Sequence, residues 1–292
     1  MGYKVDNAII MAAGMSSRFA PISYEKPKAL INVRGEVLIE RQIRQLQEAG
    51  IRHIIVVTGY KKEQFTYLNK KYGVDLIYNE EYHIRNNHSS IYAARKYLNN
   101  TYVCSADNYF TVNPFEPEVD APYYAALFAP DETNEWCIQT NKEDWITGVR
   151  IGGKNSWYMM GHTFWNSEFS EEFLQILESV YDEDATKTKL WETIYLEHIN
   201  ILKMKIKRYQ PGQIYEFDSL DELRLFDPEY LNNSDSTIIR KISEILGCRE
   251  SEILRTEPVK TENGDITGVR FLCHNKKYKF DYKGGTVIDE KN

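Results

Sequence analysis

The sequence predicts an α/β protein with a mostly parallel, mixed sheet and a small α+β appendage at its C-terminus. Three observations carry this expectation. Strand-like and helix-like segments alternate with short links through the first hundred residues, the pattern of a parallel sheet covered by helices. From about residue 121 strand-like runs follow one another with Gly or Asn between them, which adds a hairpin or makes the sheet mixed. A polar run of turn formers, LNNSDS at 231–236, then sets off a tail of about 55 residues, small for an independent core.

The elements follow in order. Residues 7–12 are an apolar run ending in Ala-Ala-Gly, which suits a buried strand. Residues 37–46 place Leu38, Ile39, Ile43 and Leu46 on one helical face, and Gly50 stops the helix. Residues 51–58 (IRHIIVVT) are β-branched and almost continuously apolar, a buried parallel strand. A helix is expected over 61–72, where Phe65, Leu68 and Tyr72 keep helical spacing before Gly73. A strand follows at 74–78, then a helix capped by Ser89 and running to about 98, then a strand at 101–106. Further strands are expected at 121–128, 137–140, 146–151, 156–164, 204–209 and 214–218, with helices at 168–181 and 189–199. Ser219 suits the cap of a closing helix. In the tail, 238–246 reads as an amphipathic helix, and 269–273 and 277–281 as strands around Asn275. The expected domains are 1–231 and an extension at 237–292.

Composition narrows the class. The chain has 292 residues, 42% of them hydrophobic and 27% charged, which excludes a disordered or collagen-like polymer. No apolar run approaches the roughly 20 residues of a membrane span, so membrane insertion is not expected. The N-terminus shows no secretory core, and the four cysteines are widely spaced without a CxxC pair. A cytoplasmic protein with reduced thiols is expected. The net charge of −7 argues against a nucleic-acid partner, because such affinity comes from neutralising phosphates. Any anion the protein binds must therefore be gripped by a local cluster.

One such cluster stands in residues 9–30, IIMAAGMSSRFAPISYEKPKAL. A buried strand runs into Ala12, Ala13 and Gly14, whose small side chains let a ligand approach the backbone. Successive loop N–H groups can face a phosphate. Arg18 adds a forked cation and Lys28 a compact one, with Pro27 fixing the chain before it. Two cations around a glycine turn at a strand's C-terminal end make a polyphosphate site, the usual ligand position of an open α/β sheet. The string is neither a Walker loop nor a GxGxxG turn.

G-x-x-x-R-F followed by P-K-A-L resembles the signature of nucleotidyltransferases that join a nucleoside triphosphate to a phosphorylated small molecule. The strings VTGYKKEQF (57–65), NNHSSIY (86–92), ADNY (106–109), TNEW (133–136) and IYEFDS (214–219) narrow it. Together they are similar to the bacterial LicC-type CTP:phosphocholine cytidylyltransferases, over about residues 7–230. The resemblance implies a Rossmann-like nucleotidyltransferase fold, CTP and phosphocholine as substrates, and Mg2+ as cofactor.

Asp107 follows the strand TYVCSA, so its carboxylate leaves the sheet's C-terminal edge. Glu216 and Asp218, two apart in a strand-like YEFDS, would share a face. Magnesium takes hard oxygens, one or two carboxylates plus phosphate and water. Asp107 and Asp218 meet that need with Glu216 nearby, and the resemblance puts the metal there. For the pyrimidine, Ala12, Gly59, Tyr60, Asn87, Ser89 and Ser90 lie at suitable strand ends, and helix capping by Ser89 and Ser90 is compatible with that role.

A trimethylammonium group cannot donate hydrogen bonds and is held by aromatic faces. Trp136 and Trp191 look like the family's cage positions, and Tyr195 lies one helical turn past Trp191. Tyr92 and Tyr82 are weaker candidates, and Glu135 or Glu192 would complement the cation. Trp145, Trp157 and Trp165 read as packing. The tail looks like the opening strands of a LicA-type choline kinase N-lobe, but residues 237–292 hold no kinase catalytic segment, so phosphorylation of choline by the tail is not expected. A small appendage packed on the main domain, a remnant, a lid and a homodimer contact are its open readings.

The leading reading is a cytidylyltransferase that makes CDP-choline and pyrophosphate. Its rivals are the same transfer to 2-aminoethylphosphonate or phosphoethanolamine, a sugar-1-phosphate nucleotidyltransferase, and a non-catalytic nucleotide sensor. The tryptophan-rich segments speak against the sugar, and the joint presence of Arg18, Lys28, Asp107 and Asp218 against the sensor.

Overall fold

Hydrophobic patterning places four parallel strands at the centre of the protein, a computed structural model of which describes residues 2–290. The strands β1 (Asn7–Ala12), β2 (Ile54–Thr58), β3 (Asp75–Tyr78) and β4 (Thr101–Ser105) lie in the order β4-β1-β2-β3. Every residue of β2 is buried, as its unbroken apolar run requires. The sheet then becomes mixed through β5 (Tyr123–Ala129), β6 (Thr133–Thr140), β7 (Ile146–Gly153) and β8 (Ser156–Trp165). β8 runs antiparallel to β4, β6 joins β7 to β8, and β5 lies between β8 and the parallel strand β9 (Lys205–Arg208). Among the described residues this makes a nine-stranded sheet.

The helices of this part are α1 (Leu38–Glu48), α2 (Tyr67–Tyr72), α3 (His88–Ala93), α4 (Ser167–Val180) and α5 (Trp191–Glu197). Asn166 caps α4 by accepting from Phe169 N. One core cluster unites Val103 and Tyr124 of the sheet with Trp165, Phe173, Trp191, Ile194 and Tyr195. Trp165 sits 4.7 Å from Phe173 and 5.1 Å from Trp191, ring centroid to ring centroid. Burying each such ring contributes roughly 2–3 kcal/mol.

The chain falls into two compact units: residues 1–14 with 39–216, and residues 15–38 with 217–292. The second unit therefore begins ahead of the seam expected near 231 and takes in the segment after Gly14. It contains α6 (Leu220–Phe226), α7 (Thr237–Leu246) and a four-stranded antiparallel meander, β10 (Leu254–Lys260), β11 (Ile266–Cys273), β12 (Lys276–Asp281) and β13 (Thr286–Asp289). Ser219 caps α6 and Ser236 caps α7. The Glu25 carboxylate accepts from Thr237 N at 2.9 Å and from the hydroxyls of Ser236 and Thr237. Arg224 is 5% exposed and donates to the carbonyls of Tyr230, Glu250 and Ile253. These bonds tie α6 and α7 to the rest of the unit.

Three expectations are corrected. The helix expected over 61–72 is a 3-10 turn, Lys62–Phe65, followed by α2, with Lys61 in the left-handed region and Thr66 Oγ1 donating to Glu63 O. Ser89 is not a cap but lies inside α3, which ends at Ala93. The strand expected over 214–218 stops at Tyr215, because its partner Tyr109–Phe110 is only two residues long. Strands β10 and β13 had no apolar alternation to announce them; pairing with β11 and β12 makes them strands. The four cysteines are free, and no described helix is long and apolar enough to cross a membrane.

Candidate active site

The glycine-turn segment divides between the units. In the first, Tyr60 N donates to Ala13 O at 3.0 Å, joining the C-terminal ends of β1 and β2. A Cβ on Gly59 would come within 2.7 Å of both Ala13 O and Tyr82 Cβ, so only glycine lets these backbones meet. A Cβ on Gly14 would meet nothing within 4 Å among the described residues, so the turn is open above the strand.

In the second unit, Ser16 takes a left-handed conformation that turns the chain into the 3-10 turn Ser17–Phe19. Phe19 is buried and anchors the turn, leaving Arg18 outward. The Arg18 guanidinium lies 2.6 Å from Asp218 Oδ2, with side chains 75% and 43% exposed. The two charges that sequence reasoning gave to phosphate and to metal thus meet each other. Lys28 is only 4% exposed, with its ammonium 5.8 Å from the Phe19 ring centroid. A lysine so covered is rare, and its stem is held by packing.

Asp107 lies in the turn after β4. Gln42 of α1 fixes that turn by donating to Ser105 O and Asn108 O, both at 2.8 Å. Asn108, itself buried, donates to Glu216 Oε2 at 3.3 Å. So Asp107 and Glu216 are brought to one short region of the first unit, and Asp218 belongs to the second. Their oxygens are of the hard type magnesium takes. Asp218 faces a cation already, the Arg18 guanidinium. Among the described residues no group of three or more His, Cys, Asp or Glu forms a ready-made metal cluster.

The residues expected at the pyrimidine behave differently from one another. Asn87 Oδ1 accepts from Trp191 N at 2.8 Å, and its Nδ2 donates to Glu192 Oε2 at 3.1 Å, so its amide holds the start of α5. Ser89 and Ser90 are buried, and both hydroxyls accept from Asn79 Nδ2, at 2.8 and 3.2 Å. Asn79, also buried, was not singled out by sequence; its only signal was an Asn at a strand's end. Ala12, Ala13 and Gly59 are buried as well, and Tyr60 is partly exposed.

Trp191 and Tyr195 are both core residues, 1% and 0% exposed, while Trp136 of β6 is partly buried against the same cluster. Trp191 stacks on Tyr124 at 5.8 Å with planes 15° apart, and the Tyr124 hydroxyl donates to Glu192 Oε1 at 3.3 Å. Burial pushes the Glu192 carboxyl above its ordinary range, against bonds from Asn87 and Tyr124 that pull it down. Burial, then Glu192 and Glu216, raises the Tyr124 phenol; burial, then Glu135 and Glu216, raises that of Tyr158. Three carboxylates therefore act on two tyrosines here. Sequence reasoning missed Tyr124 and Tyr158, because a tyrosine in an apolar strand looks like packing. Of the weaker candidates, Tyr92 stacks on Tyr181 at 3.8 Å, and Tyr82 covers Gly59.

Comparison with known proteins gives the family. Residues 8–145 match the MobA-like NTP transferase domain family. The chain is 34% identical over 228 residues to a choline-phosphate cytidylyltransferase of Streptococcus pneumoniae, covering 78% of this chain and 99% of that one. It is 35% identical over 229 residues to a 2-aminoethylphosphonate cytidylyltransferase of Lancefieldella rimae, covering 77% and 93%. The solved CTP:phosphocholine cytidylyltransferase of Streptococcus pneumoniae superposes with a TM-score of 0.74 at 33% identity, over 78% and 99% of the two chains. At 15% identity and a TM-score of 0.59, the inositol-1-phosphate CTP transferase of T. maritima shares the fold. With a relative at 34% identity matched over 99% of its length, the chain belongs to the nucleotidyltransferase family of the bacterial choline-phosphate cytidylyltransferases.

Proposed function

We propose that the protein transfers a cytidylyl group from CTP to phosphocholine. The carrying observation is Glu192, a carboxylate set beside the stacked rings of Tyr124 and Trp191. An anion within aromatic walls suits a cationic head group and offers little to a neutral sugar. Trp136, only partly buried, is the aromatic face offered to such a head group, whereas the buried Trp191 and Tyr195 support the wall from within.

An oxygen of the acceptor phosphate attacks the α-phosphorus of CTP, the bond to the pyrophosphate oxygen breaks, and CDP-choline and pyrophosphate result. No protein nucleophile is required, so positioning and charge stabilisation supply the rate. Lys28 would balance charge on the α-phosphate and the incoming phosphate. Arg18 and the turn after Gly14 would hold the outer phosphates, with Arg18 exchanging Asp218 for a phosphate partner. Asp107, Asp218 and Glu216 are the carboxylates that the family resemblance assigns to magnesium, which when bound would neutralise phosphate charge. Backbone groups around Ala12, Gly59 and Tyr60 would read the pyrimidine.

A second acceptor is favoured by a specific observation. The carboxylates of Glu135, Glu192 and Glu216 act on the Tyr124 and Tyr158 region, and a primary ammonium donates hydrogen bonds to carboxylates. Transfer to 2-aminoethylphosphonate is therefore the alternative. Pyrophosphate release with CTP and magnesium decides between them on a panel of phosphocholine, phosphoethanolamine, 2-aminoethylphosphonate and glucose 1-phosphate. Turnover confined to phosphocholine is the expected result. Preference for a primary amine replaces it with the alternative, and silence across the panel removes both.

A further inference from the structure

Within the second unit the tail sheet packs on the segment that follows the glycine turn. Strand β10 packs against the turn Ser17–Phe19. Tyr282, just past β12, lies 4.2 Å from Tyr24, ring to ring. Lys260, the last residue of β10, places its ammonium 3.3 Å from Ser17 Oγ. Ser17 immediately precedes Arg18 in the same 3-10 turn.

Local geometry aims Lys260 there. The pairing of β10 with β11 shifts register between Val259 and Lys260, an irregularity that re-aims a side chain at a strand's end. The next residue opens a turn closed by Thr261 N to Asp265 O at 2.9 Å, so Lys260 is held at a fixed corner. Val259 is buried beside it and pins the strand.

The charge on Lys260 is unbalanced. Within this unit Arg18 has a carboxylate partner in Asp218, Lys26 in Asp235 and Arg270 in Glu290, whereas Lys260, like Lys241 and Lys279, has none among the described residues, and of these only Lys260 is bonded to the segment that holds Arg18. Lys260 is exposed, and among the described residues its one bond is to the neutral Ser17 hydroxyl. An ammonium without a counter-charge, bonded to the serine that precedes Arg18 in the same turn, is a site for an anion.

We infer that Lys260 is a third phosphate-binding cation, supplied by the tail, that engages the outer phosphates of the nucleoside triphosphate beside Arg18. This rests on the glycine-turn segment being the triphosphate site proposed above. The tail then adds a binding group to the nucleotide site in addition to covering the segment beside it.

The test uses the full chain with Lys260→Gln, Lys260→Arg and, as a separate control, Arg18→Gln. Calorimetric titration measures CTP, CMP and pyrophosphate; steady-state kinetics measures KM for each substrate. Lys260→Gln should weaken CTP and pyrophosphate about threefold to tenfold, the range of a solvent-facing charged contact. CMP affinity, kcat and the acceptor KM should stay within twofold, and Lys260→Arg should restore most of the loss. Equal weakening of CMP, or failure of arginine to rescue, would mark a structural role and overturn the inference. If Arg18→Gln weakens CTP and Lys260→Gln does not, the tail inference falls and the triphosphate site stands. If neither weakens CTP, the triphosphate site itself falls and this inference falls with it.

Discussion

Replacing Asp218 with Asn separates the two roles that the Arg18–Asp218 pair suggests. The pair is close, 2.6 Å, but its side chains are 75% and 43% exposed. Exposed pairs of this kind contribute about 0.2–1 kcal/mol, because water screens them and two side chains lose freedom. The Asp218 backbone N donates to Glu222 Oε2 at 2.7 Å, a bond the substitution leaves alone. The melting temperature should therefore fall by no more than about 4 °C. If Asp218 instead helps to hold magnesium against phosphate charge, its loss should lower turnover about 10²–10³-fold, equivalent to about 3–4 kcal/mol of transition-state stabilisation. The catalytic effect exceeds the structural one by several-fold, so the two can be told apart in one variant. Pyrophosphate release is measured across a magnesium series, beside thermal unfolding of the same sample. A variant that keeps more than a third of its turnover at an unchanged magnesium requirement would refute the metal role. A variant that unfolds well below the parent would refute the ledger for the ion pair.

Three further outcomes are expected. Trp136→Ala should raise the acceptor KM about 2–30-fold, the worth of one aromatic face to a cation, with the CTP KM unchanged; Trp191→Ala should instead lose about 3–5 kcal/mol of stability on thermal unfolding, because Trp191 is 1% exposed in the core. Glu192 must be ionised to complement a cationic acceptor, and burial raises its carboxyl above the usual 4.5, so acceptor affinity should fall, as pH is lowered, at a higher pH than an ordinary carboxylate gives; Glu192→Gln should flatten the profile of acceptor KM against pH while that of CTP stays level. The same shift has the opposite sign for folding, since the neutral form favours the folded state below pH 4.5 and that contribution is lost as pH rises through the raised value. Arg224→Ala should cost about 3–5 kcal/mol in chemical denaturation, because it strands buried carbonyl acceptors of Tyr230, Glu250 and Ile253.

Much of the architecture was legible in residue order. Strand β1 coincides with its apolar run, and the helix cap Ser219 follows from a side chain that bonds the backbone three residues on. Such features depend on neighbours along the chain, as does the glycine-turn string with Arg18 and Lys28. The kinked helix at 61–72 and the short strand at Ile214–Tyr215 were not legible, because hydrogen-bond partners elsewhere set their limits. The site divides in the same way. Residue types and spacing named Asp107, Glu216 and Asp218 as candidates, and the family resemblance named Trp136 and Trp191. Folding paired Arg18 with Asp218 across 200 positions, turned Asn87 toward α5 rather than outward, stacked Tyr124 on Trp191, and brought Lys260 to Ser17 across 243. Local propensity and periodicity act over a few residues, so they specify elements and chemical types; which charges meet, and which rings keep an open face, is set by packing between segments that the sequence separates.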